Sequence, residues 1–275
     1  MRRTSAAILL IFFCTTIAAA QPKPLRTIED SVADRYLRHG AWQHSITSPE
    51  YGRCIDSGLA VLPHYAYLWQ QRGMPFWKQM KYEVALAYTD SAVKYDTLHW
   101  LDYRAFCKCI FQKSYVSAIK DFRLAKKVIG NSTVMDHDYD FYIGLSYLQL
   151  AQYDSSLWYF RESIRNDSIT FGPTGLHHLH SFYMGIVLYE LQHYQDANYW
   201  FDRSLRSNPD FADAEYYKAA SLRKLGDTVA SDLLFKQAED HFYEGKTINE
   251  DNAIYERYPY QLSPAWFDRV KKKTP

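Results

Sequence analysis

The sequence predicts an all-α fold of about five to six stacked helix pairs, closed at its C-terminal end by a capping segment. Three observations predict it. A pattern of aromatic and small residues recurs five times between Trp69 and Ala238. Its small residues Ala85, Ala118, Ser156, Ala197 and Ser231 are spaced by 33, 38, 41 and 34 positions, the periodicity of a repeat array. The two longer spacings contain turn residues, Gly130-Asn131-Ser132 and Gly172-Pro173-Thr174-Gly175, which place the extra length in loops between units.

Residues 1–20 read as a cleaved secretory signal. Arg2 and Arg3 form a basic head, Ala6 to Phe13 is apolar, and Ala18-Ala19-Ala20 supplies the small residues of a cleavage site before Gln21. Thr15 and Thr16 interrupt the apolar run, which falls short of the roughly 20 residues a membrane span needs. Bulky Phe13 precedes Cys14, so lipidation is not expected. The chain is therefore expected in the periplasm of a Gram-negative bacterium or secreted, with no stable membrane insertion after cleavage.

Without Arg2 and Arg3 the chain carries 30 basic and 31 acidic residues, a balance with no electrostatic footprint for nucleic acid. The run Lys271-Lys272-Lys273 reads as a solvated end. Cys54, Cys107 and Cys109 are too few for a disulfide framework. On a helix Cys107 and Cys109 point about 200° apart, so they cannot bond to each other. They read as buried small apolar residues.

Residues 21–63 form an N-terminal helical region with a partial unit. Its first helix is expected near Asp30 to Gln43 and its second from Cys54 to Leu62, ended by Pro63. Residues 64–245 carry the repeats. The first copy reads Trp69, Gly73, Phe76, Tyr82, Ala85, Ala92, and the second Tyr103, Ala105, Cys109, Tyr115, Ala118, Phe122, Ala125. The third reads Phe141, Gly144, Tyr147, Tyr153, Ser156, Phe160, Ser163; the fourth Phe182, Gly185, Leu188, Tyr194, Ala197, Phe201, Ser204. The fifth reads Tyr216, Ala219, Leu222, Gly226, Ser231, Phe235, Ala238. Three departures make the N-terminal pairs the least regular. Pro75 inside a helix is expected to kink or shorten it. Phe106 takes the position of a glycine, so its helices must splay or shift. Thr89 stands where other copies have Phe.

After Gly245 the pattern stops, and residues 246–275 form a tail or cap. Ser263-Pro264 starts a short amphipathic helix, with serine as its cap and proline in the first turn. Tyr258, Tyr260 and Trp266 are expected to cover the apolar end of the last repeat, as a solenoid requires. The alternative is that the tail folds back into the groove as an internal ligand.

Over roughly residues 50–245 this pattern resembles the tetratricopeptide repeat family. That family pairs a Gly or Ala on one helix with an Ala on the next, so that the two backbones approach closely. The resemblance implies a right-handed superhelix in which the first helix of each pair lines a concave surface. Transferred copy by copy, it implies an inner wall that includes Tyr67, Gln70, Trp77, Trp100, Tyr103, Phe141, Phe182, Tyr189, Tyr216 and Arg223. Rings with low conformational entropy are favoured binding anchors. Lys78, Arg104, Arg223 and Lys224 are too dispersed to form the family's carboxylate clamp.

The sequence contains no phosphate loop, nucleophile elbow or Cys-x-x-Cys pair. His177, His178 and His180 are close enough in sequence to suggest a transition metal. They open a helix and should point apart, with no carboxylate beside them in sequence, so no metal and no cofactor is expected. The expected function is a non-enzymatic scaffold that binds a protein or peptide in an aromatic groove in the cell envelope. A glycan-binding solenoid is one alternative. An enzyme acting on envelope polysaccharide, through Asp138, Asp140 or Glu190, is another.

Overall fold

Residues 27–172 and 176–271 are described by the computed structural model. The expected signal at 1–20, residues 173–175 of the second inserted loop, and Lys272 and Lys273 lie outside them.

The N-terminal unit is irregular. Thr27 forms a capping box with Asp30 and starts α1 (Ile28–Ala33). The helix loosens into a π-turn over Asp34–Arg38, and a 3-10 turn follows over Ala41–Gln43. Ser48 then caps α2 (Pro49–Val61), with Pro49 in the first turn. These elements close around Leu37, Ala41 and Ile55, all fully buried, and Leu68 joins them to the repeats.

Five helix hairpins follow in the expected order. They are α3 (Ala66–Lys78) with α4 (Tyr82–Tyr95), then α5 (Thr97–Ile110) with α6 (Tyr115–Val128). The third is α7 (Tyr139–Gln149) with α8 (Tyr153–Phe171), and the fourth α9 (His178–Glu190) with α10 (Tyr194–Ser207). The fifth is α11 (Ala212–Lys224) with α12 (Thr228–Tyr243), and α13 (Pro264–Lys271) lies beyond it. Each helix packs on its sequence neighbours, and α7 also touches α5 and α9, which is the stacking of a solenoid. None of the helices among the described residues is long and apolar enough to cross a membrane.

Small residues set the seam within each hairpin. A Cβ placed on Gly144 would lie 3.2 Å from the Phe160 ring, and one on Gly185 would lie 2.6 Å from Phe201. The seam serines do more than save space: Ser156 donates its hydroxyl to the Gly144 carbonyl at 2.8 Å, and Ser231 to that of Ala219 at 2.9 Å. Burial of a hydroxyl is tolerated there because its hydrogen bond is made.

The sequence departures resolve locally. Helix α3 runs through Pro75 to Lys78, so the proline does not shorten it; it falls in the last turn, where only one backbone bond is lost. The Trp77 indole fills the space that Thr89 leaves, and donates to the Thr89 hydroxyl at 3.2 Å. Phe106 turns its ring toward Phe111 and Tyr142. Neither insertion is simply a loop. The first forms a two-stranded hairpin, β1 (Thr133–Val134) with β2 (His137–Asp138), and the second lengthens α8.

Candidate functional site

The concave wall is covered by the chain's own tail. Gly245, at φ +83°, ends α12, and the Lys246 carbonyl accepts the Ala212 N–H at 2.9 Å, which turns the chain onto the inner face. Residues 248–262 then make an excursion along the wall whose two ends meet, an Ω-loop in form. Gln261 ties those ends together by donating to the Ile248 carbonyl at 3.0 Å.

Both ends are held by Asp213. One carboxylate oxygen accepts the Leu262 N–H at 2.7 Å; the other accepts the Thr247 hydroxyl at 2.7 Å and the Ile248 N–H at 3.0 Å. The side chain is fully buried, and this desolvation pushes its pKa up to about 6 against the pull of its three donors.

Between these anchors the loop crosses back over four hairpins. Tyr183 donates to the Pro259 carbonyl at 2.8 Å and Tyr260 donates to Glu190 at 2.8 Å. The Tyr260 ring meets Tyr217 edge-on. At the far end, Glu256 pairs with Lys113 at 2.5 Å and accepts the Tyr82 hydroxyl, while the Lys78 ammonium sits 4.8 Å from the Tyr255 ring. Tyr258 is buried beneath the loop. Helix α13 does the capping: Trp266 packs on Tyr216 and Tyr217, and Phe267 on Phe242. The two expectations for the tail therefore divide, with Trp266 in the cap and Tyr260 in the groove.

Several of the residues expected on the wall face the interior instead. Phe141 and Phe182 are fully buried, Phe141 against Phe160 and Phe182 against Phe201 and Phe211. They serve the seams between helices rather than an open groove. Trp77 is also interior, and Tyr216 lies under α13. Among the groups that meet the tail, Lys78, Tyr183, Glu190 and Tyr217 each stand one residue after an expected wall residue, a rotation of about 100°. Arg223 is exposed and turned to α12, paired with Asp232 and Ser231. Gln70 is buried and accepts from Gln71. Tyr103 donates to the Met74 sulfur, and Tyr189 packs on Tyr194.

Tyr67 and Trp100 remain together, stacked at 6.0 Å. They line a hollow of about 430 Å³ at the N-terminal ends of α3 and α5, with Glu29, Tyr95, Asp96 and His99.

The carboxylates considered for catalysis have structural partners. Asp138 caps α7 through the Phe141 N–H and accepts Ser163 and Asn166. Asp140 pairs with Lys126 at 2.6 Å; burial raises its pKa and the ammonium opposes that rise. Glu190 receives Tyr260 and Tyr153. Cys107 and Cys109 are buried and Cys54 partly so; all three are free thiols.

The histidine rings do not disperse as expected: His177 lies 4.5 Å from His178 and 5.9 Å from His180, centroid to centroid, and the fold supplies the carboxylates that the local sequence lacks. His178 meets the Phe211 ring edge-on, and burial pushes its pKa down to about 3. His180 turns inward between Asp167 of the lengthened α8, at 2.8 Å, and His137 of β2, at 3.1 Å. His177 lies near His137 and Glu250 of the tail, so the three form a possible ligand group. No periodicity joins these positions, and only their spatial assembly reveals them.

No protein-family model and no curated protein matches the sequence. Solved structures do match its shape. A tetratricopeptide repeat protein from Parabacteroides merdae aligns at TM-score 0.62 and 13% identity, over 78% of this chain and 79% of that one. PilW, a type IV pilus biogenesis factor, aligns at 0.60 and 14%, over 81% of this chain and 96% of PilW. YrrB, described as a repeat protein with an unusual peptide-binding site, aligns at 0.50 and 16%, over 69% of this chain and 93% of YrrB. Five stacked hairpins, small-residue seams and these likenesses together give the chain the tetratricopeptide-repeat fold.

Proposed function

We propose that the chain is a non-enzymatic scaffold of the cell envelope, whose concave wall binds an extended, tyrosine- and proline-bearing acidic segment of a partner protein. One observation carries this reading: residues 248–262 already occupy the wall as such a segment would. The wall offers a hydroxyl donor in Tyr183, a carboxylate in Glu190 and two cations in Lys78 and Lys113, all engaged by side chains or backbone of the tail. The Tyr217 hydroxyl is buried beneath it with no partner among the described residues. A guest segment would exchange with the tail for these groups, so the tail sets a threshold affinity and acts as a built-in competitor. The envelope location is inferred from the signal-like residues 1–20.

The test is a synthetic peptide spanning residues 248–262, titrated into wild-type protein and into a Lys78→Ala, Lys113→Ala, Glu190→Gln variant that keeps its helical circular dichroism. Weak saturable binding to the first and at least a tenfold loss in the second are expected. Equal binding to both would remove the wall from consideration.

A second reading rests on the 430 Å³ hollow. Tyr67, Tyr95 and Trp100 beside Glu29 and Asp96 offer rings and carboxylates of the kind that hold a sugar. A glycan array that stays silent with folded protein disposes of it.

A further inference from the structure

We propose that His137, His177 and Glu250 form a binding site for one divalent transition-metal ion, with zinc the best-fitting example, which ties the tail to the repeats. One candidate ligand atom from each lies within 4.8 Å of the others. Two imidazoles and a carboxylate are a donor set suited to zinc and its first-row neighbours, and three protein ligands leave a fourth position for water.

The central observation is His137. Its side chain is completely buried, and its Nε2 has no hydrogen-bond partner among the described residues. The nearest carboxylate oxygen, on Glu250, is 3.7 Å away, too far for a hydrogen bond. An orphaned buried nitrogen is costly unless something else satisfies it. Ligands about 2.1 Å from a tetrahedral zinc lie roughly 3.4 Å apart, so the His137–Glu250 separation is near the required edge. The separations from His177, which reach at most 4.8 Å, must close by up to about 1.4 Å on the same geometry. It precedes α9, and Glu250 lies on the tail, so neither is fixed by a helix.

The groups behind His137 aim it. An ionised Asp167 only accepts, so the His180 Nδ1 donates to it at 2.8 Å. The His180 Nε2 is then an acceptor and receives the proton on His137 Nδ1 at 3.1 Å. That chain leaves the lone pair of His137 on Nε2, directed at Glu250. A metal-bound histidine is held this way by an outer carboxylate or carbonyl, here through a second imidazole. His177 Nδ1 accepts the Leu179 N–H at 3.4 Å, which in a neutral ring places the proton on Nε2. To ligate the ion His177 gives up this long bond, through Nδ1 itself or by moving the proton to Nδ1 and binding through Nε2. His178 faces Phe211 and takes no part.

The assembly joins four separate parts of the chain. His137 comes from the inserted hairpin, Asp167 from the lengthened end of α8, His177 from the start of α9 and Glu250 from the tail. Three of the four lie in or beside the two insertions that break the repeat period. The inference goes beyond the groove reading and does not depend on it, because the ion is measured without any partner.

The test uses untagged full-length protein stripped with a chelator and titrated with Zn²⁺ by calorimetry, with Co²⁺ as a spectroscopic probe. One equivalent per chain is expected, with visible cobalt bands of a low-coordinate nitrogen and oxygen site. Glu250→Gln and His177→Gln should each weaken zinc at least tenfold while helical circular dichroism is kept, and Asp167→Asn should weaken it about 10–100-fold as an outer-shell change. His178→Gln should bind as wild type. These two ligand variants, at partly exposed positions, carry the test even if a His137 variant fails to fold. Well under half an equivalent of zinc, unchanged affinity in both ligand variants, or equal loss in His178→Gln would overturn the assignment.

Discussion

Asp213 on α11 accepts the backbone N–H of Leu262 at 2.7 Å with one carboxylate oxygen, while its other oxygen holds the opposite end of the same loop at Ile248. One buried side chain therefore closes a tail excursion that spans most of the inner wall. Replacing it with Ala leaves two backbone donors and one hydroxyl without their acceptor, each costing about 1–3 kcal/mol if it stays buried. The loop is expected to leave the wall rather than bear that cost. Hydrogen exchange at residues 248–262 in Asp213→Ala should rise far above wild type, while exchange in α5 to α9 stays slow.

The same residue predicts a pH dependence. Burial raises the folded-state pKa of Asp213 to about 6, above its ordinary value, so folding favours the protonated acid. The contribution is complete below the unfolded pKa near 4 and is lost as pH rises through about 6, by an amount on the order of 3 kcal/mol. Asp213→Asn cannot ionise but presents one acceptor oxygen instead of two. Its stability deficit against wild type should be largest near pH 4 and should shrink by pH 7. A deficit that grows with pH in urea titrations would contradict this assignment.

At the far end of the loop, Glu256 meets Lys113 and Tyr82. The lysine side chain is 45% exposed, so this pair contributes little to global stability, about 0–1 kcal/mol. Its effect should be local. Lys113→Met is expected to leave the melting temperature within a few degrees of wild type and to speed hydrogen exchange at residues 252–258.

The repeat was legible because its signal is steric: only a small residue admits a facing helix, and Gly144 and Gly185 each lie against a phenylalanine ring. Part of the wall was legible only to within one residue. Phe141-Tyr142 and Phe182-Tyr183 are doublets, and either ring can serve a helix face. A buried tyrosine hydroxyl seeks a partner and a phenylalanine does not, which sends Phe into the seam and turns Tyr toward polar groups. Tyr142 donates to the Val134 carbonyl and Tyr183 to that of Pro259. That distinction was present in the sequence and separates the two faces. The tail was legible as a wall occupant only as an alternative to a cap, since residues 246–262 have no period, and the histidine cluster draws on segments more than a hundred residues apart.

The seams give a graded prediction. A methyl added at Gly185 would meet the Phe201 ring at 2.6 Å, whereas one at Gly144 would meet Phe160 at 3.2 Å. Both rings are fully buried, so neither swings freely into solvent. Gly185→Ala should destabilise by about 1–3 kcal/mol as an overpacked core does, and Gly144→Ala by less. Equal costs from chemical denaturation would mean that the fourth hairpin relaxes as readily as the third.

The turns inside the hairpins share one backbone feature. Met80, Lys113, Ala151, Gln192 and Gly226 each adopt positive φ, between +55° and +91°, where the first helix hands over to the second. Only the last is a glycine, so the other four hold a conformation that costs an L-residue roughly 1–2 kcal/mol. Glycine relieves that cost but adds freedom to the unfolded chain worth about 0.4–1 kcal/mol. Ala151 is exposed and makes no packing contribution to offset the exchange. Ala151→Gly should therefore stabilise slightly, by about 0.5 kcal/mol, while Gly226→Ala loses about 1 kcal/mol by the reverse argument. Thermal unfolding of the two variants side by side checks this, and a loss of stability in Ala151→Gly would show that its left-handed turn carries no strain.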